Sequence, residues 1–306
     1  MPDDVQLNFS PGSLVTLNII LAVMMFGVSL SLSPQDFKRI VKSPQAPLIG
    51  LAAQFLLLPF LTYLLTLVLQ PHPSLALGMI LVSACPGGTF SNIITFMARG
   101  NLAVSVSMTA VASVLAVVMT PFNFAFYAWL NPVTSKVMNE IRLDPWHMVG
   151  LVFAVVGVPL VAGMFCGQRF PAIRDRSETI MRRVSLVVFL GFVGLAFSRN
   201  WDLFVQHAGG LAVLVIVHNL MALGLGNRLA TLCRQPEVDR RAITLEIGIQ
   251  NSGLGLTLLF TFMPQLGGAI LITAFWGVWH LVSGLLIAGY WGCRPISVLE
   301  TTSDVG

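Results

Sequence analysis

Charge is what this sequence has least of. Only 10% of its 306 residues are Asp, Glu, Lys or Arg, and 56% are hydrophobic, whereas a soluble domain carries about 25% charged residues. Apolar runs of bilayer-spanning length, about 20 residues, recur throughout. This excludes a soluble apolar bundle and predicts an all-α, polytopic membrane protein. Cysteine is also sparse. Cys85, Cys166, Cys233 and Cys293 are scattered, without a Cys-x-x-Cys pair or metal-ligand spacing, and read as small apolar residues, buried or interfacial. No His-Glu-x-x-His, Gly-x-Ser-x-Gly or paired-Asp pattern occurs, so the residues of an intramembrane enzyme are not in evidence. The N-terminal stretch MPDDVQLNFSPGS lacks a cationic region, which argues against a cleaved signal peptide. The net charge of +4 does not point to nucleic acid, because the basic residues fall in short loops, where they set topology.

Hydropathy predicts nine crossings, near 14–32, 47–69, 74–97, 102–130, 148–167, 184–197, 208–232, 242–262 and 268–291. Residues 1–13 form an extracellular tail, and 14–306 a single transmembrane unit. If the N-terminus is outside, fourteen of the 17 Lys and Arg residues fall on the inner side; only Lys136, Arg142 and Arg199 do not. That skew places the C-terminus in the cytoplasm. In the outer segment 133–143, Val133, Val137, Met138 and Ile141 share one helical face and predict an interfacial helix.

Two of the nine spans are interrupted. The third contains CPGGTFSN (85–92), and the eighth contains EIGIQNSGLGL (246–256), with its break expected at Asn251-Ser252-Gly253. Pro86 removes a backbone donor, and Gly87-Gly88 relaxes the chain. The breaks lie five crossings apart, in helices of opposite direction. Helices one to four and six to nine therefore read as one unit used twice, inverted, with the fifth joining them. Inverted repeats with paired broken helices point to a secondary transporter whose site lies at the breaks.

Glu246 is the only acidic residue predicted to lie within a span; the other twelve of the 13 fall in loops or tails, Glu237 and Asp239 among them. An ionised carboxylate in hydrocarbon is costly unless paired, and no Lys or Arg lies at matching depth. Either Glu246 is protonated or a metal cation neutralises it. Gln250, four residues on, is expected on the same helical face. Asn251 follows, and unwinding frees the carbonyls of Ile247 and Ile249. A carboxylate, amides and free carbonyls make an all-oxygen site suited to a hard cation. Thr89, Ser91 and Asn92 cluster at the N-terminus of the second half of the third helix, whose dipole favours an anion.

Other polar residues within the spans have two readings each. Ser105 and Thr109, spaced i, i+4, either face a site or bond back to their own helix. Gln54 is a ligand or interhelical glue. His280 is a ligand or a packing residue, and His218 is a second intramembrane histidine.

The motifs CPGGTFSNIITFMARGN (85–101) and LEIGIQNSGLGL (245–256) resemble those of the bile acid/sodium symporter family, and the likeness extends over essentially the whole chain. The resemblance implies a core domain, with helices in 46–130 and 208–292, and a panel domain, with helices in 14–32 and 146–198. The two broken helices, third and eighth, would cross within the core. It further implies two sodium sites. The first would use Ser91, Asn92, Ser105, Thr109 and Glu246; the second Gln54, Glu246, the carbonyls of Ile247 and Ile249, and Gln250. Thr89, Asn251 and His280 would face the substrate.

The expected function is sodium-coupled symport of an organic anion (bile acid-like, pantoate-like or another small carboxylate or sulfate) by alternating access. No cofactor, no metal other than sodium and no obligatory protein partner is implied. The resemblance suggests a bacterial member, in the inner or plasma membrane. A proton-coupled transporter with Glu246 titrating is the alternative.

Overall fold

A computed structural model describes residues 11–30, 32–88, 90–141, 144–171, 187, 191 and 201–294. The described chain is helical. The elements are α1 (Pro11–Ser29), α2 (Pro34–Lys42), α3 (Gln45–Leu69), α4 (Pro73–Ala84), α5 (Phe90–Met97), α6 (Leu102–Leu130), α7 (Ser135–Ile141), α8 (Pro145–Arg169), α9 (Trp201–Leu232), α10 (Glu237–Gly248), α11 (Ser252–Phe262) and α12 (Gly267–Gly292). By length and composition, α3, α6, α8, α9 from Gly209 and α12 are each able to cross a membrane. Large apolar side chains such as Val68, Trp129, Phe165 and Leu286 stand on outer surfaces. A helix that is apolar on both its packed and its outer face belongs in lipid, and the protein is a multi-pass membrane protein. The predicted sixth crossing, 184–197, lies almost entirely outside the described residues.

Two irregularities in the long helices have a local cause. Both α3 and α8 contain one π-helical turn, Ala53–Leu57 and Phe153–Gly157, and each turn is followed by a proline, Pro59 or Pro159. Proline offers no N–H to the carbonyl four residues before it. In α3 that carbonyl, Phe55 O, instead accepts the side-chain amide of Asn123 from α6 at 2.8 Å. The π-turn carries Gln54, which is 1% exposed. Single π-turns inside α-helices occur frequently at functional sites.

The segments predicted as the third and eighth crossings are each built from two half-helices, α4–α5 and α10–α11, joined by unwound chain. Both are entered in the same way. The preceding helix, α3 or α9, ends near a left-handed residue, Gln70 (φ 45°) or Arg234 (φ 54°). A proline then starts or caps the half-helix, Pro73 at the start of α4 and Pro236 before α10. The second break is not where the sequence placed it. α10 stops at Gly248, and Ile249 is extended at φ −115°, ψ 97°. Asn251 caps α11, its Oδ1 accepting the Leu254 N–H at 3.0 Å. The unwound residues are therefore Ile249, Gln250 and Asn251; Ser252 and Gly253 are already helical.

The N-terminal boundary of this span also shifts. Glu237 and Asp239, expected in a loop, form the first turn of α10, where carboxylates complement the helix dipole.

Packing divides by small residues. α1 lies along α8, where Gly163 and Gly167 let the helices meet backbone to backbone. A Cβ at Gly167 would sit 2.0 Å from Leu30 O, and one at Gly163 2.5 Å from Phe26 O. Such i, i+4 small residues are the usual means of close approach in membranes. α12 packs on α4, α9 and α11, and α9 on α10; α6 contacts α3, α4, α5, α8 and α10. The short α7 turns Met138 into the protein, with Val137 and Ile141 partly buried against the same core. Of the cysteines, Cys85 is buried, whereas Cys233 and Cys293, expected inside or at an interface, are exposed just past the ends of α9 and α12. Each directly follows the last residue of its helix, Leu232 or Gly292.

Candidate functional site

The unwound linkers of the two broken spans meet. Gly87 and Gln250 form an isolated antiparallel bridge. Gly88 N donates to Ile249 O at 2.6 Å, and Asn251 N to Pro86 O at 2.9 Å. Helix breaks leave backbone groups without intrahelical partners, and in hydrocarbon each such group is costly. Here the two breaks satisfy one another. Glycine is required at 87 by proximity, since a Cβ there would lie 2.5 Å from Glu246 Oε1 and 3.0 Å from Glu246 O. None of the described glycines has a positive φ, so at this position Gly87 supplies clearance rather than an unusual backbone angle.

Glu246, 1% exposed, is reached by hydroxyls from two other helices. Ser91 Oγ of α5 donates to Oε2 at 2.5 Å. From α6, Thr109 Oγ1 reaches Oε1 at 2.6 Å and Ser105 Oγ reaches Oε2 at 3.0 Å. Asn92 Oδ1 lies 2.7 Å from Ser105 Oγ and 3.3 Å from Thr109 Oγ1. Thr109 also bonds back to Ser105 O at 3.0 Å, so its two sequence readings hold together. Ser91, Asn92, Ser105, Thr109 and Glu246 thus form one buried cluster of oxygen atoms. Among the described residues, no basic side chain bonds to the carboxylate.

Gln54 and Gln250 form a second cluster beside the break. Gln54 Nε2 donates to Cys85 O and to Gln250 Oε1, both at 2.8 Å. Gln250 Nε2 donates to Gln54 Oε1 at 3.2 Å and to Ile247 O at 2.6 Å. Because α10 ends at Gly248, Gln250 does not share a helical face with Glu246, as the i, i+4 spacing had suggested. Both oxygens of Glu246 point into the hydroxyl cluster, and among the described residues no hydrogen bond joins it to Gln54 or Gln250. The carbonyls of Ile247 and Ile249 do leave the helical pattern, but both have partners, Gln250 Nε2 and Gly88 N.

Beside the crossover lies a cavity of about 20 Å³, lined by Leu21, Met24, Phe90, Asn251, Ser252 and His280 among others. Among the described residues, neither ring nitrogen of His280 nor Ser252 Oγ has a hydrogen-bond partner, although all three atoms are buried. Unpaired buried polar atoms cost about 1–3 kcal/mol each, and such groups call for a ligand or water. Thr89 lies outside the described residues. His218 is a packing residue by comparison, bonded to Thr62 Oγ1 at 2.8 Å and stacked against Trp276 with ring centroids 4.5 Å apart.

Three residues of this region went unread in the sequence. Arg241, counted there as a topological charge, is 1% exposed. Its guanidinium donates to Ala98 O at 2.7 Å and Trp291 O at 3.1 Å, and it pairs with Glu237. Asn219 and Ser283 contact the end of α10 through one another. An Asn within an apolar run carried the same signal as Gln54; the i, i+4 spacing of Glu237 and Arg241 was a weaker one.

The description "Sodium Bile acid symporter family" belongs to the family model that matches residues 18–207. Across 292 residues the chain is 33% identical to a Bacillus subtilis protein named "Uncharacterized sodium-dependent transporter YocS", covering 93% of this chain and 87% of that one. It is 28% identical to the Arabidopsis thaliana "Probable sodium/metabolite cotransporter BASS1, chloroplastic", over 89% of this chain and 65% of the relative. It is 26% identical to the mouse "Sodium-dependent organic anion transporter", over 88% and 71%. The family match covers more than half of the chain, the Bacillus likeness nearly all of it, and the relatives are transporters rather than enzymes. On these grounds the chain belongs to the sodium bile acid symporter family.

Proposed function

We propose that the protein carries an organic anion inward together with two sodium ions, by alternating access. The observation that carries this reading is the Glu246 cluster: a buried carboxylate among Ser91, Ser105 and Thr109 hydroxyls and Asn92 Oδ1, with no basic partner among the described residues. Oxygen donors around one negative charge suit a hard monovalent cation, and ion-coupled transporters place such sites at broken helices. The first sodium is assigned to these five residues. The second is assigned to Gln54, Glu246, Ile247 O, Ile249 O and Gln250. For the second ion, Gln250 must release Ile247 O and turn its own oxygen inward. Ile249 O accepts one hydrogen bond from Gly88, and a carbonyl has a second lone pair for a cation.

The anion is assigned to the cavity at His280 and Asn251, against the N-termini of α5 and α11; that cavity must widen to admit it. Thr89 is retained as a third candidate from the sequence alone. The unpaired nitrogens of His280 support that assignment. The likeness to the mouse protein supports an organic anion as the class. The matching entries into the two broken spans support an inverted repeat. The close α1–α8 packing supports a panel that moves against the core.

Two sodium ions with one monovalent anion bring in one net positive charge, worth about 2.3 kcal/mol per 100 mV. Uptake into proteoliposomes is therefore expected to require sodium and to rise with an inside-negative potential. Glu246→Gln is expected to abolish sodium dependence. Unchanged sodium dependence in that variant refutes the assignment, and pH-driven uptake by the unaltered protein in sodium-free buffer replaces sodium with a proton.

A further inference from the structure

The end of α10 is held by a side-chain relay from two other helices. A helix leaves its last carbonyls without intrahelical N–H partners. Here Leu245 O takes the Ile249 N–H, Ile247 O takes Gln250 Nε2, and Ile249 O takes the Gly88 N–H. Gly248 O is satisfied from outside the crossover: Asn219 Nδ2 of α9 donates to it at 2.8 Å. The oxygen of the same amide accepts Ser283 Oγ of α12 at 2.6 Å. Asn219 is fully buried and Ser283 is 8% exposed.

Sterics reinforce the relay. Leu223, one turn beyond Asn219, closes on Gly248, where a Cβ would meet its Cδ2 at 2.2 Å. Gly248 lies two residues from Glu246 and two from Gln250. Ser283 Oγ also lies 3.2 Å from the carbonyl of His280.

We propose that Asn219, oriented by Ser283, is a positioning residue for sodium. It fixes where α10 stops, and thereby where Glu246 and Gln250 stand, without touching the ion. This rests on the sodium reading above. Loss of the relay leaves Gly248 O free to rotate, and the ligands on either side lose their preset spacing. Ordering them then falls to sodium itself, so sodium affinity drops, while the anion cavity across the crossover keeps its residues.

The test is sodium-dependent thermal stabilisation of the purified, full-length protein, with potassium replacing sodium at constant ionic strength. Asn219→Ala is expected to raise the sodium midpoint about tenfold, equivalent to about 1.4 kcal/mol. Ser283→Ala is expected to raise it severalfold. The double variant should be no worse than Asn219→Ala, because residues acting through one another are not additive. If Asn219→Ala does not fold, Ser283→Ala alone decides by the same midpoint. A lower melting temperature in both solutions with an unchanged sodium midpoint makes the relay merely structural and overturns the proposal, as does simple additivity of the two changes. Failure of the sodium reading looks different: the unaltered protein, like Glu246→Gln, then shows no sodium response.

Discussion

At residue scale, the proposed sodium chemistry concentrates in Glu246 and in what lies against it. Gly87 is the most sterically exacting neighbour, because a methyl group there would fall 2.5 Å from Glu246 Oε1. Gly87→Ala is expected to push the carboxylate away from Ser91 and Thr109 and to reduce sodium-dependent uptake at least tenfold, about 1.4 kcal/mol. The protein should still reach the membrane; tracer uptake against surface expression checks both. Glu246 was visible in the sequence because a lone acid in an apolar run has no bland reading. Gln54, Ser105 and Thr109 were not legible one by one, since a single polar side chain in a span serves packing and binding equally well. They were drawn together by the family resemblance, and the contacts to Cys85 O, Gln250 and Glu246 now give each a physical partner.

At the scale of elements, the two breaks are one structure rather than two defects. Each unwound linker supplies the donors and acceptors that the other lacks. Arg241 ties the same assembly together at the far end of α10. Its guanidinium binds the carbonyl of Ala98 just after α5 and that of Trp291 in the last turn of α12. A cation there complements two helix C-termini. Arg241→Ala removes the side-chain donor to Ala98 O, leaves Trp291 O with the Arg294 N–H and takes the arginine from Glu237, so a destabilisation of about 3 kcal/mol is expected. A lowered melting temperature in both sodium and potassium checks it, in contrast to the sodium-specific effect expected at Asn219. Sequence reading found both breaks but put the second two residues late. The polar triplet Asn251-Ser252-Gly253 looks like the break, yet Asn251 is a cap and starts the next helix.

At the scale of the whole molecule, the distribution of basic residues sets the orientation expected in the membrane. We propose an outside N-terminus and an inside C-terminus. Cys233 and Cys293 are exposed past the ends of α9 and α12, both on the inner side in that arrangement, whereas Cys85 is buried. A membrane-impermeant maleimide is therefore expected to leave intact cells unlabelled and to label inside-out vesicles at both positions. Labelling of intact cells at Cys233 or Cys293 reverses the orientation.

The sequence by itself determined the solvent, the helical class, the two interruptions and the carboxylate that proves to lie at the centre of the buried oxygen cluster. These follow from local composition: scarce charge, apolar runs, Pro and Gly within them, and one carboxylate. Tertiary structure decided which atom of Glu246 each hydroxyl meets within the set that the resemblance had grouped, that Gln250 turns toward Gln54 instead, and that Asn219 and Arg241 hold the ends of α10. Those contacts join residues far apart in the chain, and neither helical periodicity nor hydropathy records which helices lie side by side.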